Sequence, residues 1–213
     1  MEKIKSLLRL IVRIQDINIL DSLHYKRKIV VYKKASVTIH PACKIDIPKP
    51  QSLHIGHPWE NYRHILYKTV FVTFPGSRIE LTGDQVLIAT GGIFRIGGEL
   101  ILGNVKFNSF CTLYCGMRIE IGDGTIIGSN TVIRDYDAHT LEYPGKESKR
   151  TAPIIIKENV WIGLYVTILK GVTIDEGSVI AAGSVVVKNI PPRCLAGGNP
   201  AKVIRENVKW DYR

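Results

Sequence analysis

The sequence predicts an all-β protein folded as a parallel β-helix of six-residue units, with an N-terminal helical segment and a short C-terminal tail. The main support is an aliphatic side chain at every sixth position of the C-terminal third: Ile156, Ile162, Ile168, Ile174, Ile180 and Val186. A period of six fits neither the 3.6 residues of a helical turn nor the alternation of an ordinary strand. It fits a short strand followed by a tight turn. Three such units make a coil of about 18 residues, and successive coils stack about 4.8 Å apart.

Further parts of the chain repeat the pattern and set the bounds of the β-helix at residues 35–190. A second run has the same spacing, and weaker echoes precede it: Ile121, Ile127, Ile133; Ile96, Leu102; Ile39, Ile45. Glycine marks the turns at Gly163, Gly171, Gly177 and Gly183, where a tight corner needs its backbone freedom. A meander of short antiparallel strands is the alternative, and six consecutive members in one register argue against it.

Composition predicts one globular domain in a reducing compartment. The chain has 213 residues, of which 45% are hydrophobic and 23% charged, which excludes wholesale disorder and collagen-like sequences. Its four cysteines show no CxxC spacing, so zinc-ribbon and thioredoxin-like sites have no support. We find no apolar run long enough to span a membrane and no signal-peptide pattern, so we expect a cytoplasmic protein.

Most of the positive charge lies in residues 1–34. This segment contains nine Lys or Arg and three Asp or Glu, so it carries six of the ten net positive charges. Residues 3–20 place apolar side chains on one stripe, which predicts an amphipathic helix. The helix either caps the open end of the rod or lies on anionic lipid at the inner face of a membrane. The modest charge of the remaining chain argues against nucleic acid binding.

The repeat breaks between Ile133 and Ile156, because their separation is one position short of four six-residue units. The break predicts a loop over residues 134–152 that leaves the rod and provides a binding edge. The loop contains His139, and an imidazole can act as a general base that accepts the proton of a hydroxyl. Asp137 and Asp135 are the candidates for a carboxylate that orients this imidazole, and Glu142 is a weaker third. The alternative is an ordinary solvated loop histidine.

From residue 105 to 205 the chain resembles the hexapeptide-repeat acyltransferases, notably the maltose/galactoside and capsular or colanic-acid O-acetyltransferases. The resemblance rests on three segments: Val160-Trp161-Ile162-Gly163, Gly171-Val172-Thr173-Ile174, and Gly198-Asn199-Pro200-Ala201-Lys202-Val203-Ile204-Arg205. It implies a left-handed β-helix and a homotrimer with acetyl-CoA, a co-substrate, bound in grooves between subunits. Periodicity alone predicts the coil but neither its handedness nor the trimer.

The resemblance also assigns roles to individual residues. It implies that His139 is the catalytic base and that Asn108 lies near the base and the substrate, although Asn108 could equally cap a turn. Trp161 should point outward, against a ligand or a subunit interface. Leu164 replaces a small residue of the family and narrows the expected donor to acetyl. The positions that correspond to coenzyme A contacts are Gly163 and Ala181 through backbone amides, and Lys188, Lys202 and Arg205 at the phosphate end. Each of these three cations could equally be an ordinary solvated side chain.

The expected function is transfer of acetyl from acetyl-CoA to a hydroxyl of a sugar or polysaccharide precursor. An N-acetyltransferase of amino-sugar nucleotides and a non-catalytic β-helix scaffold are the alternatives. His54, His57 and His64 lack acidic or cysteine partners nearby in sequence, so we expect no metal. Residues 191–213 are predicted to form a tail in which Pro200 ends the rod.

Overall fold

The computed structural model describes residues 28–33, 35–57 and 67–211. In these residues the secondary structure is β-strand with turns, which confirms the predicted all-β parallel architecture. The amphipathic helix expected over residues 3–20 lies outside the described residues, as does His64. The first strand within the described residues begins at Ile29, so part of the segment set apart as 1–34 lies in the rod.

Three parallel sheets form the sides of the rod, and the chain visits them in turn. Sheet I contains β1 Ile29–Val31, β4 Leu53–His57, β7 Val86–Ala89, β10 Val105–Phe107, β13 Ile126–Ile127, β18 Trp161–Ile162, β21 Val179–Ile180, β23 Leu195–Gly198 and β24 Ala201–Arg205. Sheet II contains β2 Ala35–Thr38, β5 Thr69–Thr73, β8 Ile93–Ile96, β11 Thr112–Cys115, β14 Val132–Arg134, β19 Thr167–Leu169 and β22 Val185–Val186. Sheet III contains β3 Lys44–Asp46, β6 Arg78–Leu81, β9 Glu99–Leu102, β12 Arg118–Ile121, β17 Ile154–Ile156 and β20 Thr173–Ile174.

Equivalent side chains stack from coil to coil and fill the interior. In sheet I the inward column runs through Val31, Ile55, Ile88, Phe107, Ile127, Ile162, Ile180 and Ala196. Every member of this column is almost completely buried. The aliphatic residues that recur every six positions along the chain, from Ile121 to Ile133 and from Ile156 to Val186, are buried in the same way, which confirms the period. Ile39 and Ile45 are only partly buried against the core.

Coil length explains why the repeat is clear only in the C-terminal third. There Ile162 pairs with Ile180 and Ile168 pairs with Val186, so one coil spans three of the predicted six-residue units. Further toward the N-terminus Phe94 pairs with Leu113, which is a slightly longer step along the chain, and Phe71 pairs with Phe94, which is a longer step still. The longer turns shift the phase of the aliphatic pattern while the strands stay in register.

The tail closes the C-terminal end of sheet I. After the last full coil β23 continues the parallel sheet, and β24 then turns back and pairs antiparallel with β23. The turn between these two strands contains Pro200. Beyond it, Trp210 folds back so that its indole N–H donates to the Asn159 carbonyl at 2.7 Å. Among the described residues there is no helix with the length and apolarity needed to cross a membrane.

Candidate active site

The predicted loop is an excursion of one coil, and its base is a short antiparallel stem. Ile121 and Ile156 are neighbours across sheet III, and Ile156 pairs in turn with Ile174 on the next coil. The chain between the first pair is almost twice as long as the chain between the second, and the excursion accounts for the difference. The stem pairs Tyr136 with Thr151. Above the stem a hairpin is formed by β15 Glu142–Tyr143 and β16 Lys146–Glu147.

Asp135 anchors the start of the stem in the rod. Its side chain is fully buried, and its carboxylate accepts the backbone N–H groups of Gly116 at 2.6 Å and of Met117 and Arg118 at 2.8 Å each. A buried carboxylate needs such donors because burial removes it from water. Three charge-assisted hydrogen bonds therefore tie the loop to the preceding turn of the rod.

Asp137 and Arg150 brace the stem further out. The Asp137 carboxylate lies 2.5 Å from Nζ of Lys170, a half-buried residue on the next coil. Arg150 accepts the Asp137 N–H through its own carbonyl at 2.8 Å, and its guanidinium donates to the Ala138 carbonyl at 3.1 Å. These contacts fix the backbone on the N-terminal side of residue 139.

His139 follows directly and is exposed to solvent. Within the described part of the chain its ring makes no hydrogen bond, so neither Asp135 nor Asp137 contacts it in the single chain. A cleft of ≈ 310 Å³ opens beside the stem, lined by Gly116, Tyr136, Asp137, Arg150 and Thr151. Tyr136 lies directly on Gly116, since a Cβ there would be 2.7 Å from the tyrosine ring. The arrangement places an imidazole without a hydrogen-bond partner among the described residues at the end of the stem, next to this cleft.

Asn108 and Trp161 have side chains available for a ligand. Asn108 is half-buried; its backbone N–H donates to the Ile127 carbonyl at 2.9 Å, while no described residue hydrogen-bonds its side chain. Asn104, by contrast, caps a turn by accepting the N–H groups of Asp84 and Gln85. Trp161 points outward as predicted, is 45% exposed, and lies with its ring centre 6.0 Å from that of Trp210.

The predicted coenzyme contacts occupy the C-terminal coils. Lys188, Lys202 and Arg205 are exposed, and no carboxylate of the described residues lies within salt-bridge distance of them. The N–H groups of Gly163 and Ala181 donate to the carbonyls of Ile180 and Ala196, each at 2.8 Å. Because each N–H already has a partner, these two residues cannot use it for a ligand without breaking the stacking of the coils. Their assignment as coenzyme contacts stays a prediction.

Sequence reasoning did not single out several residues that the structure brings to the stem, namely Arg134, Tyr136, Arg150, Thr151 and Lys170. Lys170 lies in the next coil, and its contact with Asp137 depends on coil stacking. The others were visible only as polar loop residues. Within residues 28–33, 35–57 and 67–211 no three His, Cys, Asp or Glu side chains converge as a metal site.

Comparison with known proteins identifies the family. The family model described as "Bacterial transferase hexapeptide (six repeats)" matches residues 153–188. Galactoside O-acetyltransferase of Escherichia coli (strain K12) is 34% identical over 155 residues, which cover 71% of this chain and 72% of that protein. The chain belongs to the hexapeptide-repeat acetyltransferases. The family predicted from the sequence is thereby confirmed.

A second curated relative is matched over little more than half of its own length. Two solved structures are similar in fold at lower sequence identity. A Schizosaccharomyces pombe protein that is provisionally named an acetyltransferase is 42% identical over 116 residues, 53% of this chain and 56% of that protein. The "polySia specific acetyltransferase NeuO" has a similar structure, with a TM-score of 0.66 and 22% identity over 87% of this chain and 72% of that one. A variant of AntD, an N-acyltransferase from Bacillus cereus, in complex with dTDP-4-amino-4,6-dideoxyglucose and coenzyme A, has a TM-score of 0.57 and 19% identity over 92% of both chains. These two structures share the fold.

Proposed function

We propose that this hexapeptide-repeat protein transfers acetyl from acetyl-CoA to a hydroxyl of a sugar or polysaccharide precursor, with His139 as the general base. The observation that carries the proposal is the position of His139, solvent-exposed at the end of a braced stem beside a cleft. The name of the E. coli relative, a galactoside O-acetyltransferase, supports a sugar acceptor. The coenzyme A in the AntD complex agrees with a thioester donor.

The chemistry needs one proton to move twice. The His139 imidazole accepts the proton of the acceptor hydroxyl while the oxygen attacks the thioester carbonyl carbon. The carbon–sulfur bond then breaks, the acetyl ester remains on the sugar, and the thiolate of coenzyme A leaves with the proton from the imidazolium. General-base catalysis of this kind contributes about 10²- to 10⁴-fold to the rate.

The two aspartates act through the loop backbone in this scheme. Asp135 fixes the root of the stem by its three amide hydrogen bonds, and Asp137 fixes the next turn through Lys170. Both are therefore proposed as positioning residues for His139. Precise placement of a base matters because small displacements of reacting groups lower rates steeply.

The coenzyme is proposed to bind along the C-terminal coils. Lys188, Lys202 and Arg205 are free cations near one end, suited to phosphate groups. Gly163, Ala181 and the exposed Trp161 would line the path of pantetheine. The exposed position of His139 also agrees with a homotrimer in which a neighbouring subunit supplies the missing wall of the site, with Asn108 near the acceptor.

The test is thiol release from acetyl-CoA with a panel of sugars and amino sugars, with products identified by mass spectrometry. His139→Ala should lower kcat by at least about 100-fold with an unchanged melting temperature. Thr140→Ala, a change at the exposed neighbouring residue, is the matched control and should retain activity. Wild-type rates in His139→Ala would contradict the role of the base. If the parent protein consumed no acetyl-CoA with any acceptor, the alternative of a non-catalytic scaffold would be supported. A product acetylated on nitrogen would show that the acceptor group is an amine and not a hydroxyl.

A further inference from the structure

Arg134 lies against two neighbouring tyrosine rings on the outer surface of sheet II. Its guanidinium carbon is 4.6 Å from the ring centre of Tyr136 and 5.6 Å from that of Tyr114. Tyr114 is its direct neighbour across the sheet, and Arg95 follows on the coil before, over the ring of Phe74 at 5.4 Å. The result is a row of alternating arginines and aromatic rings that leads to the excursion.

The arginines of this row have no carboxylate partner in the described part of the chain. Four cations elsewhere on the rod, Lys49, Arg78, Arg118 and Lys170, form ion pairs with carboxylates. Among the described residues neither Arg134 nor Arg95 has a carboxylate within 4.0 Å. Arg134 is half-buried, and its Nε is buried without a hydrogen-bond partner. A buried donor without a partner costs free energy, and the accessible part of the half-buried guanidinium has no hydrogen-bond acceptor among the described residues.

Stacking on rings does not replace that partner. A ring face attracts the positive charge of guanidinium, which contributes about 0.5 to 2 kcal/mol. A ring face supplies no hydrogen-bond acceptor to the N–H groups, so the Nε–H stays without a partner. A planar guanidinium held in this way matches the two oxygens of a carboxylate or of a phosphate group.

At Tyr136 the row reaches the cleft beside the stem, which we take as the acceptor site. This tyrosine carries the Arg134 guanidinium and also lines the cleft, together with Arg150, another arginine without a carboxylate partner in the described structure. Lys170 is neutralised by Asp137. An oxyanion bound to Arg134 would therefore lie next to the cleft and near the stem that holds His139.

We propose that Arg134, assisted by Arg150, binds an oxyanion on the acceptor, so that the preferred acceptor is an acidic saccharide. This inference rests on the proposed acetyl transfer and specifies its substrate class. The anion is either the carboxylate of a uronic-acid-type sugar or a phosphate group on the sugar, because both present the oxygen pair that the guanidinium requires.

Matched acceptors test the inference. The methyl glycosides of galactose and galacturonic acid differ only in replacing a hydroxymethyl group by a carboxylate, and galactose 6-phosphate supplies the phosphate arm. We expect kcat/KM for an acidic acceptor to exceed that for galactose by about 10- to 100-fold, as for a hydrogen bond to a charged group. Which of the two acids is preferred identifies the anion.

Variants assign the preference to Arg134. Arg134→Gln should reduce the ratio of kcat/KM for the acidic acceptor to kcat/KM for galactose to within about threefold of unity. Arg134→Lys should lie between, because an ammonium cannot form the bidentate contact. Arg118→Gln removes a paired arginine from sheet III and is the control, with the preference retained. Equal use of acidic and neutral sugars by the wild type, or an equal loss for both in Arg134→Gln, would overturn the inference.

A binding measurement separates this inference from the proposed function. Saturation-transfer NMR with the three sugars needs no turnover. Suppose that no sugar is acetylated, but that the acidic sugars bind to the wild type and to Arg118→Gln and do not bind to Arg134→Gln. The anion site is then supported and the proposed transfer reaction is contradicted. If galactose is acetylated and the acids gain nothing in rate or binding, the reaction stands and the anion site falls.

Discussion

The outer faces of sheets III and II carry arginines on neighbouring coils, and these arginines have different partners on the two faces. On sheet III Arg78 and Arg118 alternate with Glu80, Glu99 and Glu120 in one continuous ion-pair network. The hydrogen bond from Arg118 to Glu120, followed by the charge of Glu99, raises the pKa of Arg118 above its ordinary value. On sheet II Arg95 and Arg134 lie over aromatic rings and have no carboxylate partner among the described residues. The described arginines of sheet III are paired with carboxylates. Those of sheet II are not, and sheet II is the face beside the stem.

The largest stability effect is expected where sheet II gives rise to the excursion. Asp135→Asn replaces one acceptor oxygen by a donor that faces backbone N–H groups, so it should lower the free energy of unfolding by about 3 kcal/mol. Urea unfolding at fixed protein concentration measures this. Asp123→Asn is the matched control, because Asp123 also accepts a backbone N–H, from Asn104 at 2.6 Å, but is exposed. Equal losses in the two variants would mean that burial of Asp135 adds nothing.

A smaller effect, on activity and not on stability, is expected from Lys170. Lys170→Met leaves Asp137 without its cation and loosens the turn before His139, so kcat for acetyl transfer should fall about tenfold. The melting temperature should change little, since the pair is partly exposed. Lys157→Met, at an exposed lysine outside the ion pairs found in the structure, should retain full kcat. A Lys170→Met enzyme with unaltered kcat would show that the ion pair does not position the loop.

On sheet III the effects should be small and sensitive to salt. Arg118→Gln breaks contacts with Glu99 and Glu120, yet these side chains are partly exposed, so the loss of unfolding free energy should stay below about 1 kcal/mol. The difference from wild type should shrink further in high salt, because ions screen the pairs that the wild type keeps. A loss of several kcal/mol that persists in high salt would place this network among the main stabilising elements of the rod.

The smallest expected effect is on the alkylation of the buried thiols of sheet II, Cys111 and Cys115. Burial raises the pKa of Cys111 and of Cys115 to about 12, and the charge of Asp135 adds to the shift at Cys115. At pH 8 both thiols should resist iodoacetamide while the half-buried Cys43 reacts, with labelling of the two buried thiols appearing only as pH rises toward 12. Asp135→Asn should lower the pKa of Cys115 and leave that of Cys111 unchanged. Mass spectrometry of the labelled peptides reads this out, and rapid labelling of Cys111 at pH 8 would contradict the dry interior.

The sequence was sufficient for the rod because each repeat carries its own signal. Inward aliphatics such as Ile162 and Ile180 recur at the coil length, so periodicity alone predicts both the strands and their register. The first coils were less clear because their turns vary in length, as between Phe71 and Phe94.

The site was predicted only in part, because its contacts cross between coils. The interruption of the repeat located His139 and both aspartates. It could not show that the Asp135 carboxylate turns inward to the amides of Gly116 to Arg118, or that Lys170 reaches back to Asp137 on the coil before. Nor could it separate Arg118 from Arg134, because the difference lies in which side chains their neighbours on adjacent coils present.

The stem holds the two ends of the excursion together at the surface of the rod. Tyr136 and Thr151 are paired, and sheets II and III continue across the gap in unbroken register, so the coil closes as if the excursion were absent. Once the ends of a loop are held together, doubling its length costs only about 0.6 kcal/mol in chain entropy. Whole loops of different length and sequence could thus be exchanged at this stem without refitting the strands. Acceptor specificity could then diversify, or be engineered, by replacing one loop on a constant rod.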